Sequence, residues 1–177
     1  MAGKHTFFPV IPGAMLVAGG DTDAKAEPGC VQMYRYSDGQ LCMAQYVQNG
    51  NRVAIDAGNV TVHNDATLKA WSVMKASLLN HGMPMAGIAL ATIASQKYGW
   101  IAIRGYVGSA LTENVGTAMV PLYISLTTEG YLTDLPSRYL AATAVASDLS
   151  SGMRAVAIAR STTAGLASVS IIGCWGV

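Results

Sequence analysis

Hydrophobic and polar residues alternate in short runs along most of this chain, which is the pattern of β-strands. The first clear pair of runs lies in VQMYRYSDGQLCMAQYV, where Asp38 and Gly39 separate two alternating segments. An Asp-Gly pair between such segments predicts a β-hairpin. Further strand-like runs follow at Val53–Ile55 and Val60–Val62.

The second half of the chain predicts more paired strands. GIALATI leads through SQKYG into WIAIRGYV, and PLYISLTTEGYLTDL predicts two strands joined around Thr128–Gly130. MRAVAIARSTTAGLASVSIIGCWGV predicts two more, which turn near TTAG. Short strands at this spacing are typical of all-β domains. We therefore expect a mainly β fold, an antiparallel β-sandwich or a barrel-like domain.

The stretch QKYGWIAIRGYVG predicts a strand with large groups on both faces. Under strict alternation Trp100 and Arg104 share one face, and Ile101 lies on the other. We predict that Trp100 is a packing anchor. Arg104 stands alone among apolar residues, which is typical of an edge or an interface, so it is a predicted interface residue. Gly105 and Gly108 predict a bulge or turn that ends the strand.

One segment has a helical period instead. In NDATLKAWSVMKASLLNHGMP, Trp71, Met74 and Leu78 recur at i, i+3 and i+7. The Asn-Asp pair before them can cap a helix, and the Gly-Met-Pro after them can stop one. The pattern predicts one short helix of about four turns that packs its Trp71 face on a sheet, which makes Trp71 a second structural anchor.

Residues 1–29 are predicted to form an extended N-terminal arm, and residues 30–177 a single β-rich domain. Pro9 and Pro12 rule out a regular helix in FFPVIPGAMLV and interrupt the apolar run that a signal peptide needs. Left in water, these apolar residues would be prone to aggregate. We expect them to lie on a neighbouring subunit or a partner protein, with the chain's own domain as the alternative. The arm residues predicted to make this contact are Phe7, Phe8, Val10 and Ile11.

The composition narrows the possible partners. Charged residues make up 12% of the chain, against roughly 25% in typical soluble domains. The formal net charge is +1, which argues against electrostatic binding of nucleic acid. The longest apolar stretch, Gly82–Ala94, is too short for a helix that crosses a bilayer, so we expect no membrane partner. A surface this poor in charge is expected to be covered by copies of the chain or by a partner.

Few residues suggest chemistry. Cys30, Cys42 and Cys174 are an odd number without C-x-x-C spacing, which favours reduced thiols over zinc or a disulfide framework and fits cytoplasmic synthesis. Cys42 could act as a nucleophile only if the fold brought His63 or His81 beside it. The DTD at 21–23 lacks the further ligands of a calcium loop. We predict no catalytic, cofactor-binding or metal-binding residue.

Three segments in order carry a resemblance: GIALATIASQKYGWIAIRG, GTAMVPLYISLTTEGYLTDL and VAIARSTTAGLASVSIIG. The series resembles head-associated structural proteins of tailed bacteriophages. In that family a G-h-A-h strand, where h is apolar, precedes a YGW-h-x-h-x-G strand, and a P-L-Y-h-S…G-x-L hairpin follows. The resemblance covers roughly residues 82–177.

The resemblance implies a capsid decoration (cement) protein, a non-catalytic module that binds and stabilises the assembled shell. The implied partner is the major capsid protein, and the implied location is the capsid surface of the virion, after synthesis in the host cytoplasm. It also implies a homo-oligomer, with a trimer favoured because decoration proteins often sit at three-fold or quasi-three-fold positions. The alternative is a head fibre or adhesin-like module that binds the host.

Overall fold

The computed structural model describes residues 10–11, 16–64, 71–77, 83–113, 115–125, 127–134, 155–163 and 165–172. The regular elements within these ranges are all β-strands. In chain order they are β1 Val10–Ile11, β2 Val31–Arg35, β3 Leu41–Asn49, β4 Val60–His63, β5 Ser72–Lys75, β6 Met85–Ala89, β7 Tyr98–Glu113, β8 Pro121–Ile124, β9 Leu132–Thr133, β10 Ala157–Thr163 and β11 Leu166–Ile171. The expected mainly β fold is confirmed.

The strands form one mixed 11-stranded sheet in the order β1-β2-β3-β5-β4-β6-β7-β11-β10-β8-β9, with extra pairings of β3 with β7 and of β7 with β9. These extra pairings close two circuits, β3-β5-β4-β6-β7 and β7-β11-β10-β8-β9, which share β7. Closed pairing removes free strand edges. The pairs β1–β2, β3–β5 and β7–β9 are parallel. The sheet is therefore mixed, which corrects the prediction of an antiparallel sheet.

The predicted hairpins are present. β2 and β3 pair antiparallel, with Tyr34 opposite Cys42. In their turn Gly39 has a φ of 86°, and the Gln40 amide donates to Asp38 Oδ1 over 3.0 Å. The pairs β8–β9 and β10–β11 are also antiparallel. The predicted run Val60–Val62 lies in β4. In the predicted run Val53–Ile55, Ile55 makes an isolated β-bridge to Ile93.

The helix predicted around Trp71 is wrong, because Ser72–Lys75 is strand β5. Ser72 pairs with Gln48 of β3 on one side, and Met74 pairs with Val62 of β4 on the other. This strand closes the first circuit and buries Val73 completely. Pairing on both sides with residues distant in the chain outweighs the local helical period. Trp71 is half-buried just before β5, where its carbonyl accepts a hydrogen bond from the Gln48 amide. Leu78 lies outside the described residues.

The strict alternation predicted for β7 is interrupted. Ala102 pairs with Ala44, but Arg104 pairs with the next residue, Met43, so Ile103 is an extra residue in β7. Such a bulge turns the following side chains to the other face. Trp100 is therefore buried on one face and Arg104 is exposed on the opposite face, which corrects the prediction that they share one.

The two glycines of this stretch do not end the strand, which continues to Glu113. A second register shift lies between Val107 and Ala110, opposite Ala167 and Val169 of β11. Gly108 belongs to this second bulge, so its predicted bulge is confirmed. Gly105, next to the first bulge, has a φ of 93°, a conformation that favours glycine.

Apolar side chains fill three buried clusters, whose removal from water is the main stabilising term. The largest extends from β4 and β6 across β7 into the second circuit and includes Val60, Val62, Ile88, Val107, Leu122, Leu132 and Val169. The second includes Val47, Ile55, Val73, Ile93 and Ile101. The third consists of Ala44, Tyr46 and Trp100, with Leu16, Ala26 and Cys30 of the preceding segment packed against it.

Candidate interaction surface

Residues 16–29 of the predicted arm lie against their own chain. The Gly19 amide donates to Thr92 O over 2.9 Å. Asp21 and Tyr98 exchange two backbone hydrogen bonds, with N–O distances of 2.8 and 2.9 Å. Near the end of the segment, the Gly29 amide donates to Tyr46 O over 2.7 Å. This part of the arm is therefore a packed part of the body.

Beneath this segment lies a cluster of aromatic rings. The Tyr46 ring is 5.0 Å from Trp100 and 6.0 Å from Tyr98, measured between centroids. The Tyr46 hydroxyl donates to Asp21 Oδ2 over 2.8 Å and accepts from the Lys25 amide over 3.1 Å. Burial raises the pKa of Tyr46 to about 12. The predicted anchor Trp100 thus lies in a closed layer, and Asp21 has a structural partner.

Two of the predicted arm contacts can be placed. Val10 and Ile11 form β1, which pairs in parallel with Met33 and Tyr34 of the same chain. Their backbone therefore follows the edge of their own sheet, the path that the sequence left as the alternative. Phe7 and Phe8 lie outside the described residues. An intermolecular contact of these four side chains stays a prediction.

The cavity between the arm and β7 is small. It is lined by residues that include Leu16, Asp21, Ile93, Tyr98 and Trp100, and its volume is about 10 Å³. This is close to the minimum for one water molecule, whereas ligand pockets usually measure roughly 300–1,000 Å³. The cavity therefore offers no room for a substrate.

The Cys42 thiol, which the sequence offered as a nucleophile, is not activated. Burial raises the pKa of the Cys42 thiol to about 12, and a hydrogen bond with Tyr36 offsets this only in part. A thiol that stays protonated at neutral pH is a poor nucleophile. His81 and Cys174 lie outside the described residues. Among those that are described, no group of three or more His, Cys, Asp or Glu residues could hold a metal ion.

Glu113 serves the structure at the end of β7. Its carboxylate accepts hydrogen bonds from the Ser125 hydroxyl over 2.5 Å and from the Thr127 hydroxyl over 2.8 and 2.7 Å. Ser125 and Thr127 lie in the connection from β8 to β9. This carboxylate therefore fastens that connection to β7.

A different surface appears on the face to which the bulge at Ile103 turns Arg104. Met33, Met43 and Arg104 stand side by side on β2, β3 and β7. The two methionines are half-buried and Arg104 is exposed. Two residues further along the same face of the β2–β3 hairpin, Arg35 pairs with Leu41, and both are exposed.

The strand changes face again just beyond Arg104. Gly105 has a φ of 93°, and the ring of Tyr106 packs on that of Tyr36, 5.3 Å away between centroids. Tyr36 packs on Tyr34, which pairs with Cys42, so these rings lie on the side of the sheet opposite Met43 and Arg104. We call the exposed surface on the Met43 side the arginine face; its members are Met33, Arg35, Leu41, Met43 and Arg104.

The arginine face carries charge of one sign. It holds Arg35 and Arg104, and within the described part of the chain neither forms an ion pair. The sequence indicated Arg104 but not the other members, because the face is assembled from three strands and one bulge. The best indication of the face in the sequence itself was Gly105, which lies next to the first bulge.

No protein-family model matches the chain, and no curated protein matches it significantly. The part of the chain that the structure describes has no helix long and apolar enough to cross a membrane. Among the described residues, the arginine face is thus an exposed surface on a β-rich body.

Proposed function

We propose that this protein is a virion structural protein of a tailed bacteriophage, of the capsid decoration type, which binds and stabilises the shell without catalysis. One observation carries the proposal. The three segments that resemble phage head proteins correspond to successive strand pairs, β6–β7, β8–β9 and β10–β11. Five of these six strands make the second closed circuit, so the likeness lies in a complete structural unit.

The proposal also includes the shape of the two closed circuits. We propose that each closed circuit is a small barrel-like body and that β7 joins the two. Because closed pairing leaves few free edges, such a body interacts through its faces and loops. The low charge content, 12%, suits a protein whose surface is covered in an assembly.

The partner in this proposal is the major capsid protein, and the location is the capsid surface after synthesis in the host cytoplasm. The protein acts as a homo-oligomer, with a trimer as the favoured state. Nucleic acid, membrane and cofactors have no part in it. Sedimentation velocity of the purified protein measures the oligomeric state, and a monomer at micromolar concentration would contradict that part of the proposal.

The test of function is reconstitution. Shells assembled from the major capsid protein of the same genome are mixed with the purified chain, sedimented and imaged by electron cryomicroscopy. We expect the chain to co-sediment at a fixed stoichiometry and to give density at repeating lattice positions. Density confined to solitary spikes would favour the head-fibre alternative. Absence of binding with a folded chain would reject the proposal.

A further inference from the structure

We propose that the arginine face is a docking surface for an acidic protein surface, one that presents carboxylates around an apolar patch. This inference rests on the function proposed above, in which that acidic surface belongs to the major capsid protein. It goes further by naming the face of this chain that makes the contact and the chemistry of the partner.

The residue types on the face are those of an interface centre. Protein–protein interfaces are enriched in Met, Arg and aromatic residues and depleted in Lys, Glu and Asp. The arginine face has Met33, Met43, Arg35 and Arg104, and these members include no lysine or carboxylate. Leu41 is 40% exposed beside them, so apolar area remains to be buried.

The charges decide the kind of partner. A guanidinium pairs with a carboxylate through two parallel hydrogen bonds, which gives both direction and strength. A second copy cannot pair through the same face, because like charges would meet. Net charge is only +1, which makes a nucleic acid a poor partner for the whole chain. A carboxylate-bearing protein surface remains as the partner that fits.

The backbone holds the face ready for binding. Arg104 lies on β7, which pairs with β3 and β11 around this position and belongs to both circuits. A surface built on paired strands loses little conformational entropy when a partner binds.

The experiment compares three charge reversals in shell binding: Arg104→Glu, Arg35→Glu and the control Arg52→Glu. Arg52 is also exposed but lies in the loop after β3, away from the face, and its reversal changes the net charge equally. We expect the first two variants to bind shells at least about tenfold more weakly and Arg52→Glu to stay within about twofold of the parent chain. Raising NaCl from about 50 to about 500 mM should weaken parental binding more than that of Arg104→Glu. Thermal melts verify that each variant is folded.

A second experiment separates this inference from the proposed function. The same proteins are passed over immobilised poly-glutamate and over an immobilised thymidine oligonucleotide. Retention on poly-glutamate that Arg104→Glu loses and Arg52→Glu keeps supports the inference, even if the parent chain fails to bind shells and the capsid proposal falls. Equal behaviour of Arg104→Glu and Arg52→Glu with shells and poly-glutamate would overturn the inference. Stronger, face-dependent retention on the oligonucleotide would overturn it too, in favour of phosphate recognition.

Discussion

At the scale of single residues, Trp100 is the largest side chain in the layer that joins the arm to the sheet. It is 3% exposed and packs against the Tyr46 ring at 5.0 Å. It shares this cluster with Ala44 and Tyr46. The stability of this layer therefore depends on one bulky group, because interiors tolerate missing volume poorly.

We predict that Trp100→Ala lowers the free energy of unfolding by about 3–5 kcal/mol, since it leaves a cavity beneath residues 16–30. Urea denaturation followed by circular dichroism measures the change. Trp100→Phe, which keeps most of the apolar volume, should cost less. We also expect Trp100→Ala to decorate shells poorly. An unfolding midpoint equal to that of the parent chain would show that Trp100 is not an anchor.

Two buried groups predict how stability depends on alkaline pH. Burial raises the pKa of Cys42 from 9.0 to about 12 and that of Tyr46 from 10.0 to about 12. Between these values the folded chain keeps protons that the unfolded chain releases. The free energy of unfolding should therefore fall as pH rises from about 9 to about 12, and these two groups add no slope below pH 9.

Urea midpoints measured from about pH 8 to about pH 11.5 test this dependence. Cys42→Ala removes one of the two groups, so its stability should fall less steeply with pH than that of the parent chain. The comparison concerns the slope, because the substitution also changes packing. Identical slopes for the two proteins would contradict the assignment to Cys42.

At the scale of elements, β7 organises the molecule. It is 16 residues long, belongs to both circuits and changes face at Ile103. Gly105 makes this path possible, because its φ is 93° and a Cβ there would lie 2.8 Å from Leu41 O and 3.1 Å from Cys42 Cα. Both atoms belong to the backbone of β3, which cannot move aside without losing its pairing.

We predict that Gly105→Ala lowers the free energy of unfolding by about 1–3 kcal/mol, because of the strained φ and the contact with β3. Gly108→Ala is the matched control, three residues along the same strand. A Cβ at Gly108 would first meet the Tyr36 ring, a side chain that can shift, at 3.4 Å. Thermal unfolding should rank the parent chain and Gly108→Ala well above Gly105→Ala. An equal loss in both variants would contradict a special role for Gly105.

β5 shows why a helical period can mislead. The spacing of Trp71 and Met74 suits a helix, yet Ser72–Lys75 is extended between β3 and β4. The gain comes from ladder hydrogen bonds on both sides and from the full burial of Val73. The partner residues on β3 and β4 lie outside the local window. Such a strand cannot be predicted from its own sequence.

At the scale of the whole molecule, the arm is more closely attached than the sequence indicated. Leu16 packs on the Trp100 cluster, and Gly19 bonds with Thr92 and Ala94 through both of its backbone groups. β1 extends the sheet beside β2. The predicted boundary at residue 29 therefore does not separate a free arm from a finished body.

We predict that deleting residues 2–20 weakens shell binding and also lowers the unfolding temperature by several degrees, because it uncovers the aromatic layer. Calorimetry measures the second effect, and shell occupancy under dilution, at a temperature where the truncated chain is folded, measures the first. Unchanged occupancy would rule out the arm as an anchor to the shell. An unchanged unfolding temperature would contradict the packing of residues 16–20.

The alternation of side chains and the turn residues were enough to predict the hairpins β2–β3, β8–β9 and β10–β11. Both signals are local, since a period of two and an Asp-Gly or Glu-Gly turn act over a few residues. Trp100 was predicted as a packing anchor from the same strand, and it is buried. The low charge and the lack of catalytic motifs were likewise plain in the chain.

Contacts between distant residues decided everything else. Pairing of Gln48 with Ser72 made β5 a strand, and pairing of Met43 with Arg104 placed the bulge that turns the arginine to the open face. The closure of two circuits through β7 and the placing of Arg35 and Arg104 on one face depend on those registers. A register is chosen by the total burial and hydrogen bonding of whole strands, so no short stretch of sequence contains it.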